Sequence, residues 1–196
     1  MTIKSIRTGW NGISALAGNP VIGDFESIQT QTVSSGSAVS VEFTSIPNTY
    51  THLQIRGISR SANANQGLDD ILLTFNSDSG SNYARHSIYG DGSVTGAAAS
   101  SSTTFINVGS GPRNNSTAST FGACIIDILD YTSTNKNKTV RSLFGTDLYG
   151  TSTGNGQVRL ASGVWLNTNA ITSIKLTAEN TGFTQHSSFA LYGIRG

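Results

Sequence analysis

The chain predicts an all-β fold: an antiparallel two-sheet sandwich, jelly-roll-like, behind an N-terminal arm. Three observations carry this. Apolar and polar residues alternate in many short runs, which is the period of a half-buried strand. Gly-, Asn- and Ser-rich turns separate the runs at intervals of roughly 10–20 residues, and short strands with polar turns favour a sandwich. No window holds the i, i+3, i+4 spacing of an amphipathic helix.

Residues 1–24 stand apart. Ile3, Ile6, Trp10, Ile13, Leu16 and Ile22 are spaced irregularly among Gly and Asn, with neither a helix nor a strand period. They read as an arm whose apolar side chains are covered by the chain's own domain or by a neighbouring subunit. The domain proper is then 25–196.

Within it, Val39, Val41 and Phe43 alternate with Ser40, Glu42 and Thr44 before Ile46-Pro47-Asn48. Leu53 and Ile55 follow, and Gly57 breaks the phase before Ile58, which predicts a bulge. Ile71, Leu73 and Phe75 alternate up to the turn at 76–81, and Tyr83 to Tyr89 is stopped by Gly90-Asp91-Gly92. Residues 91–103 and 109–119 read as long loops around a short strand at 104–108. Phe121 to Tyr131 is apolar at both parities, so it is a central strand or has one face under the arm or a partner. Strands at 139–148, 156–166, 171–178 and 187–194 complete nine or ten. The last runs almost to Gly196, and an end without a polar tail reads as paired inside a sheet.

Composition excludes several functions. The 196 residues carry a net charge of +1, and only 12% are charged, against about 25% in ordinary domains. Such a chain has no field to attract nucleic acid or an anionic membrane surface. No apolar run reaches the length of a membrane helix. The first 20 residues lack the apolar region of a secretory signal. Cys124 is the only cysteine and sits in an apolar run, as a small buried hydrophobe would.

The search for chemistry points away from catalysis. His52, His86 and His186 lack metal-ligand spacing, and no cofactor is implied. Asp69 and Asp70 are strand neighbours that point to opposite faces, and Asp127 and Asp130 also differ in parity. Asp78-Ser79-Gly80-Ser81-Asn82 reads as a polar hairpin turn, since it lacks the acids of a calcium loop. No nucleophile elbow, phosphate loop or dinucleotide fingerprint occurs. The residues describe a structural or binding module and not an enzyme.

Several segments together resemble a family of small phage virion proteins, found in cyanophages and related marine phages and at tail-fibre ends. They are Ser5-Ile6-Arg7-Thr8-Gly9-Trp10-Asn11-Gly12-Ile13, Phe43 to Gly57 with its Ile46-Pro47-Asn48-Thr49-Tyr50, and Phe75 to Tyr83. Ile125 to Tyr131, Lys136 to Arg141 and the closing Phe189-Ala190-Leu191-Tyr192-Gly193-Ile194 follow. The resemblance implies a virion component assembled in the host cytoplasm, with other virion proteins, capsid or tail, as partners.

Two readings follow. In the first, the chain is a capsid decoration or cement protein, a homotrimer seated through its arm by Ile6, Trp10, Ile13 and Leu16. It has no coiled coil or shaft of the kind a fibre needs. In the second it is a tail-associated adhesin for a host glycan, with Tyr83, Tyr89 or Trp165 stacking on sugar.

Overall fold

The computed structural model describes residues 23–149 and 156–196. The arm predicted at 1–24 therefore falls almost wholly outside the described residues, with Ile6, Trp10, Ile13 and Leu16. The described residues form fourteen strands and no helix. In chain order these are β1 (Phe25–Thr32), β2 (Ser37–Ala38), β3 (Ser40–Phe43), β4 (His52–Ser59), β5 (Leu68–Phe75), β6 (Tyr83–Gly90) and β7 (Thr95–Thr103). Then come β8 (Ile106–Pro112), β9 (Gly122–Leu129), β10 (Lys138–Asp147), β11 (Gly156–Trp165), β12 (Ile174–Ala178), β13 (Phe183–Thr184) and β14 (Ser188–Ile194).

Two antiparallel sheets form the sandwich. The larger has the order β1-β14-β4-β9-β10-β11-β6-β7, and the smaller β3-β12-β5-β8. A two-stranded ribbon, β13-β2, lies beside them. Eight strands wind as a jelly roll: β1-β14-β4-β9 in one sheet and β3-β12-β5-β8 in the other. In sequence order these eight cross from sheet to sheet at every step except β5 to β8, which are neighbours. The hairpin β6-β7 is inserted between β5 and β8, and β10-β11 between β9 and β12. Both insertions extend the larger sheet past β9.

One core fills the space between the sheets. The larger sheet contributes Leu53, Ile55, Ile126, Ile128, Val140, Phe144, Trp165, Phe189 and Leu191; the smaller contributes Val41, Phe43, Ile71, Leu73, Phe75, Ile106, Ile174 and Leu176. These are the inward parities of alternating strands. β14 pairs with β1 on one side and β4 on the other, so the last strand is interior, as its sequence predicts.

Four local expectations are corrected. Gly57 is not a bulge: β4 pairs without interruption from Leu53↔Ile128 to Ser59↔Gly122. A Cβ there would lie 2.3 Å from the Phe189 ring, so the position is glycine to seat that ring. Val39 does not share the inward face of Val41 and Phe43. The chain leaves the β2–β13 pairing there, and Val39 is 74% exposed. Residues 95–103 are strand β7 and not loop; its Gly, Ala and Ser hide the apolar alternation that marks other strands. Residues 109–112 likewise belong to β8.

The remaining loop between β8 and β9 is built around a buried cation. The Arg60 guanidinium donates to the carbonyls of Asn114, Ser116, Thr117 and Thr120, at 2.8–2.9 Å. At the other end of the sandwich the buried Lys138 ammonium donates to the carbonyls of Ser133, Lys136 and Thr168. Burial lowers the pKa of both groups, and the carbonyls replace the water each cation leaves behind.

Candidate binding surface

The outer face of the larger sheet carries the most distinctive surface. Cross-strand register places Ile125 beside Leu143, Leu143 beside Leu160, Leu160 beside Ile88, and Ile88 beside Ala97. All four large residues point away from the core and are 40–60% exposed. The row therefore runs straight across β9, β10, β11 and β6 on to β7. Alternation produces it, because the chain neighbours of inward Ile126, Ser142, Ala161 and Ser87 are apolar and point outward.

Parallel rows flank it. One runs Ala123, Gly145, Val158, Gly90, and here Val158 is exposed. The space above Gly145 is open, with no atom within 4 Å of where a Cβ would stand. It forms part of a hollow of about 280 Å³ between Ile125, Leu143 and Val158. On the other side runs Asp127, Arg141, Ser162, His86. Asp127 accepts from Gln54 at 2.8 Å and from Arg141 at 2.8 Å, so the two charges of this row are paired. A shallower depression of about 550 Å³ lies between Ile88, Leu160 and the small Ala97–Ala99 segment.

Two of the three residues expected to stack on a glycan are buried. Tyr83 and Trp165 are 0% and 1% exposed, with ring centroids 6.3 Å apart in a stacked pair. Phase explains this: both sit at inward parity, paired directly across β6 and β11. The Trp165 indole N–H donates to Asp78 at 2.7 Å. The Tyr83 hydroxyl accepts from the Phe75 N–H and donates to the Asp78 carbonyl, and burial pushes its pKa up to about 12. Neither ring is available to a sugar.

Asp78 is the hub of that turn. Its carboxylate also accepts from the Gly80 N–H and the Asn82 amide. These donors, the Trp165 indole foremost, hold its pKa below the ordinary carboxylate value. Its oxygens serve the fold.

Tyr89 is half-buried at the inner edge of the extension. Its ring lies on Gly96, where a Cβ would come within 2.4 Å, and the Arg159 guanidinium sits 5.7 Å from its centroid. Arg159 pairs with Asp70 at 3.3 Å, and Asp70 also accepts from Ser110 and Asn107. Asp69 points the other way, its side chain fully buried, and accepts from Ser61 and Asn180. The two acids face opposite sides, as their parity predicts, and do not act as a pair.

The remaining candidates stay apart. His52 accepts from the Asp130 N–H, His86 lies on the outer face, and His186 occupies a turn with φ 73°. Among the described residues, no group of three or more His, Cys, Asp or Glu side chains could hold a metal. Cys124 is buried, and burial pushes its thiol up to about 12.

Sequence reasoning missed the row itself. Only the segment at 121–131 was flagged, by being apolar at both parities. The same signal is present in Leu143-Phe144 and Leu160-Ala161, but it is shorter and broken by Ser142, Gly145 and Ser162. No protein-family model, curated protein or solved structure matches the chain.

Proposed function

We propose that the chain is a bacteriophage virion structural protein, a capsid decoration or cement protein that binds neighbouring particle subunits. The observation that carries this reading is the apolar row Ile125–Leu143–Leu160–Ile88 on the outside of a complete sandwich. Single exposed apolar residues are ordinary, but contiguous patches mark places where something else sits. The core does not need these side chains, since the inward parity of the same strands already fills it. The sequence resemblance to phage virion proteins supplies the kind of assembly. Neutral, polar surfaces elsewhere suit a particle exterior, where long-range charge would gather unwanted partners.

A second reading, a tail-associated adhesin for a host glycan, draws on one corner. Tyr89 is the one stacking candidate with accessible surface, and Arg159 and Asp70 supply donors and acceptors beside it.

Reconstruction of the particle that carries the chain tests both. Copies in lattice number over the capsid, with the Leu143–Leu160 face or the N-terminal arm against a neighbour, are the expected result. A handful of copies at the tail would overturn the decoration reading in favour of the adhesin. Deleting residues 1–24 tests the arm: loss of incorporation by a folded chain assigns seating to it, and retention makes the arm only a strap on its own domain.

A further inference from the structure

The rows of the outer face have an internal symmetry that selects a partner. The central row reads Ile125, Leu143, Leu160, Ile88 across β9, β10, β11 and β6, the same in either direction. Its midpoint lies between β10 and β11. We propose that this face packs on the same face of a second copy, about a two-fold axis running along the strands between β10 and β11.

Such an axis lays the partner's β11 over β10 and the partner's β6 over β9. Leucine then meets leucine and isoleucine meets isoleucine along the central row, as an isologous contact requires. The flanking rows complement each other under the same operation. The exposed Val158 of each copy enters the open space above Gly145 of the other. Ala84 lies opposite Leu129, so a small residue meets a large one. His86 comes over the Asp127 carboxylate. A two-fold along the row instead would put Arg141 and Asp127 over Gly145 and Ala123, covering charge with apolar surface.

The size is adequate. Four strands about 4.8 Å apart and four rows about 6.8 Å apart give about 500 Å² per copy. The total of about 1,000 Å² reaches the lower limit for a specific interface. The two charges within these four rows, Arg141 and Asp127, are paired to each other, so the rows of two copies meet without net repulsion; the exposed Asp147 lies one row beyond them, opposite Gly156. Aligned sheets about 10 Å apart extend the sandwich by the packing its own sheets use.

Cysteine pairing in a Cys124→Ala background tests the register. Ile125 and Ile88 are three strands apart in one chain, roughly 14 Å, too far for an internal disulfide. The proposed axis brings Ile125 of one copy to Ile88 of the other. The double variant Ile88→Cys with Ile125→Cys should therefore give a covalent dimer on oxidation, and each single variant should not. A covalent dimer from Ile125→Cys alone would overturn the register, because it places β9 on β9.

Sedimentation of the unmodified full chain is the independent measurement. At about 100 μM, a concentration suited to a weak interface, it should give twice the 20.5 kDa of one chain. Leu143→Glu should return it to one chain, with the melting temperature that the unmodified protein shows at dilution, where it too is a single chain. A single-chain mass for the unmodified protein, whether residues 1–22 or nothing covers the face, overturns the pairing, and so does a threefold mass. These outcomes do not depend on any particle, so the pairing can fail while the virion reading stands.

Discussion

Arg56 and Ile125 are neighbours in register on β4 and β9, and between them the outer face of the larger sheet changes character. On the jelly-roll side the outward residues are Gln54, Arg56 and the exposed Ile58 on β4, Ser188, Ala190 and Tyr192 on β14, and Phe25, Thr30 and Thr32 on β1. The apolar ones are set among polar neighbours, and the aromatics pair with each other. Tyr192 stacks on Phe25 at 4.8 Å, and the Arg56 guanidinium lies over both rings. On the extension side, Leu143, Leu160 and Ile88 have no such cover. Buried apolar side chains of both halves join one core, and the extension adds the half-buried Arg85 and Arg159 to its inner face. Alternation thus sets which residues face inward, and the identity of the outward ones distinguishes the two halves, mostly polar in the first and mostly apolar in the second.

The largest expected effect tests whether the two halves really share a core. Trp165→Ala in the extension should cost about 3–5 kcal/mol and Leu53→Ala in the jelly roll about 2–5 kcal/mol, measured by urea unfolding. Both should unfold in one transition. A Trp165→Ala cost below about 1 kcal/mol, or a separate early transition, would make the extension an independent flap.

Arg60→Met should cost about 2–3 kcal/mol, since hydrogen bonds from a charged donor are lost and four carbonyls are orphaned. Limited proteolysis should then cut within 113–120 before it cuts elsewhere. Cleavage that remains uniform would show the loop to be held by other contacts.

Glycine substitutions compare the halves directly. Gly57→Ala drives a methyl into Phe189, and Gly163→Ala drives one into Ile106, at 2.3 and 2.5 Å. Each should cost about 1–3 kcal/mol by overpacking. A neutral result at Gly163 alone would show the extension to be the looser half.

A smaller effect follows from pH. The folded pKa of Asp78 is lowered by its Trp165, Asn82 and Gly80 donors. Its contribution is therefore complete above the ordinary carboxylate pKa and is lost as pH falls through the lowered folded value. Asp78→Asn should flatten this part of the stability profile between neutral and acid pH, followed by denaturant titration at each pH. An unchanged profile would assign the acid sensitivity to other carboxylates, such as Asp130 beside Lys136. The smallest change is expected at the apolar outer face, where Leu143→Ser should alter stability by less than about 0.5 kcal/mol. A large loss there would mean the isolated chain already buries the row.

Much of this was legible in the sequence. The two-sheet class followed from period-2 runs, and the interior position of the last strand from its uninterrupted end. β7 was hidden because Gly96, Ala97, Ala98 and Ala99 offer no contrast between faces. The exposed row was hidden because register across strands distant in sequence decides it: Ile88 meets Leu160, and Leu160 meets Leu143, only after the hairpins have been placed. Tyr83 and Trp165 were misassigned for a related reason. An aromatic at a strand end can be core or site, and only the pairing of β6 with β11 put both inward.

The Arg60 loop has a consequence for variability. Its four anchors are main-chain oxygens at Asn114, Ser116, Thr117 and Thr120, and every residue type supplies such an oxygen. Ser116, Thr117 and Thr120 also bond through their hydroxyls, to Gly67, Leu148 and Arg60, so their identity matters. The exposed Asn114, Asn115 and Ala118 contribute only backbone, and there a change of side chain should leave the loop's shape and the sandwich beneath it alone.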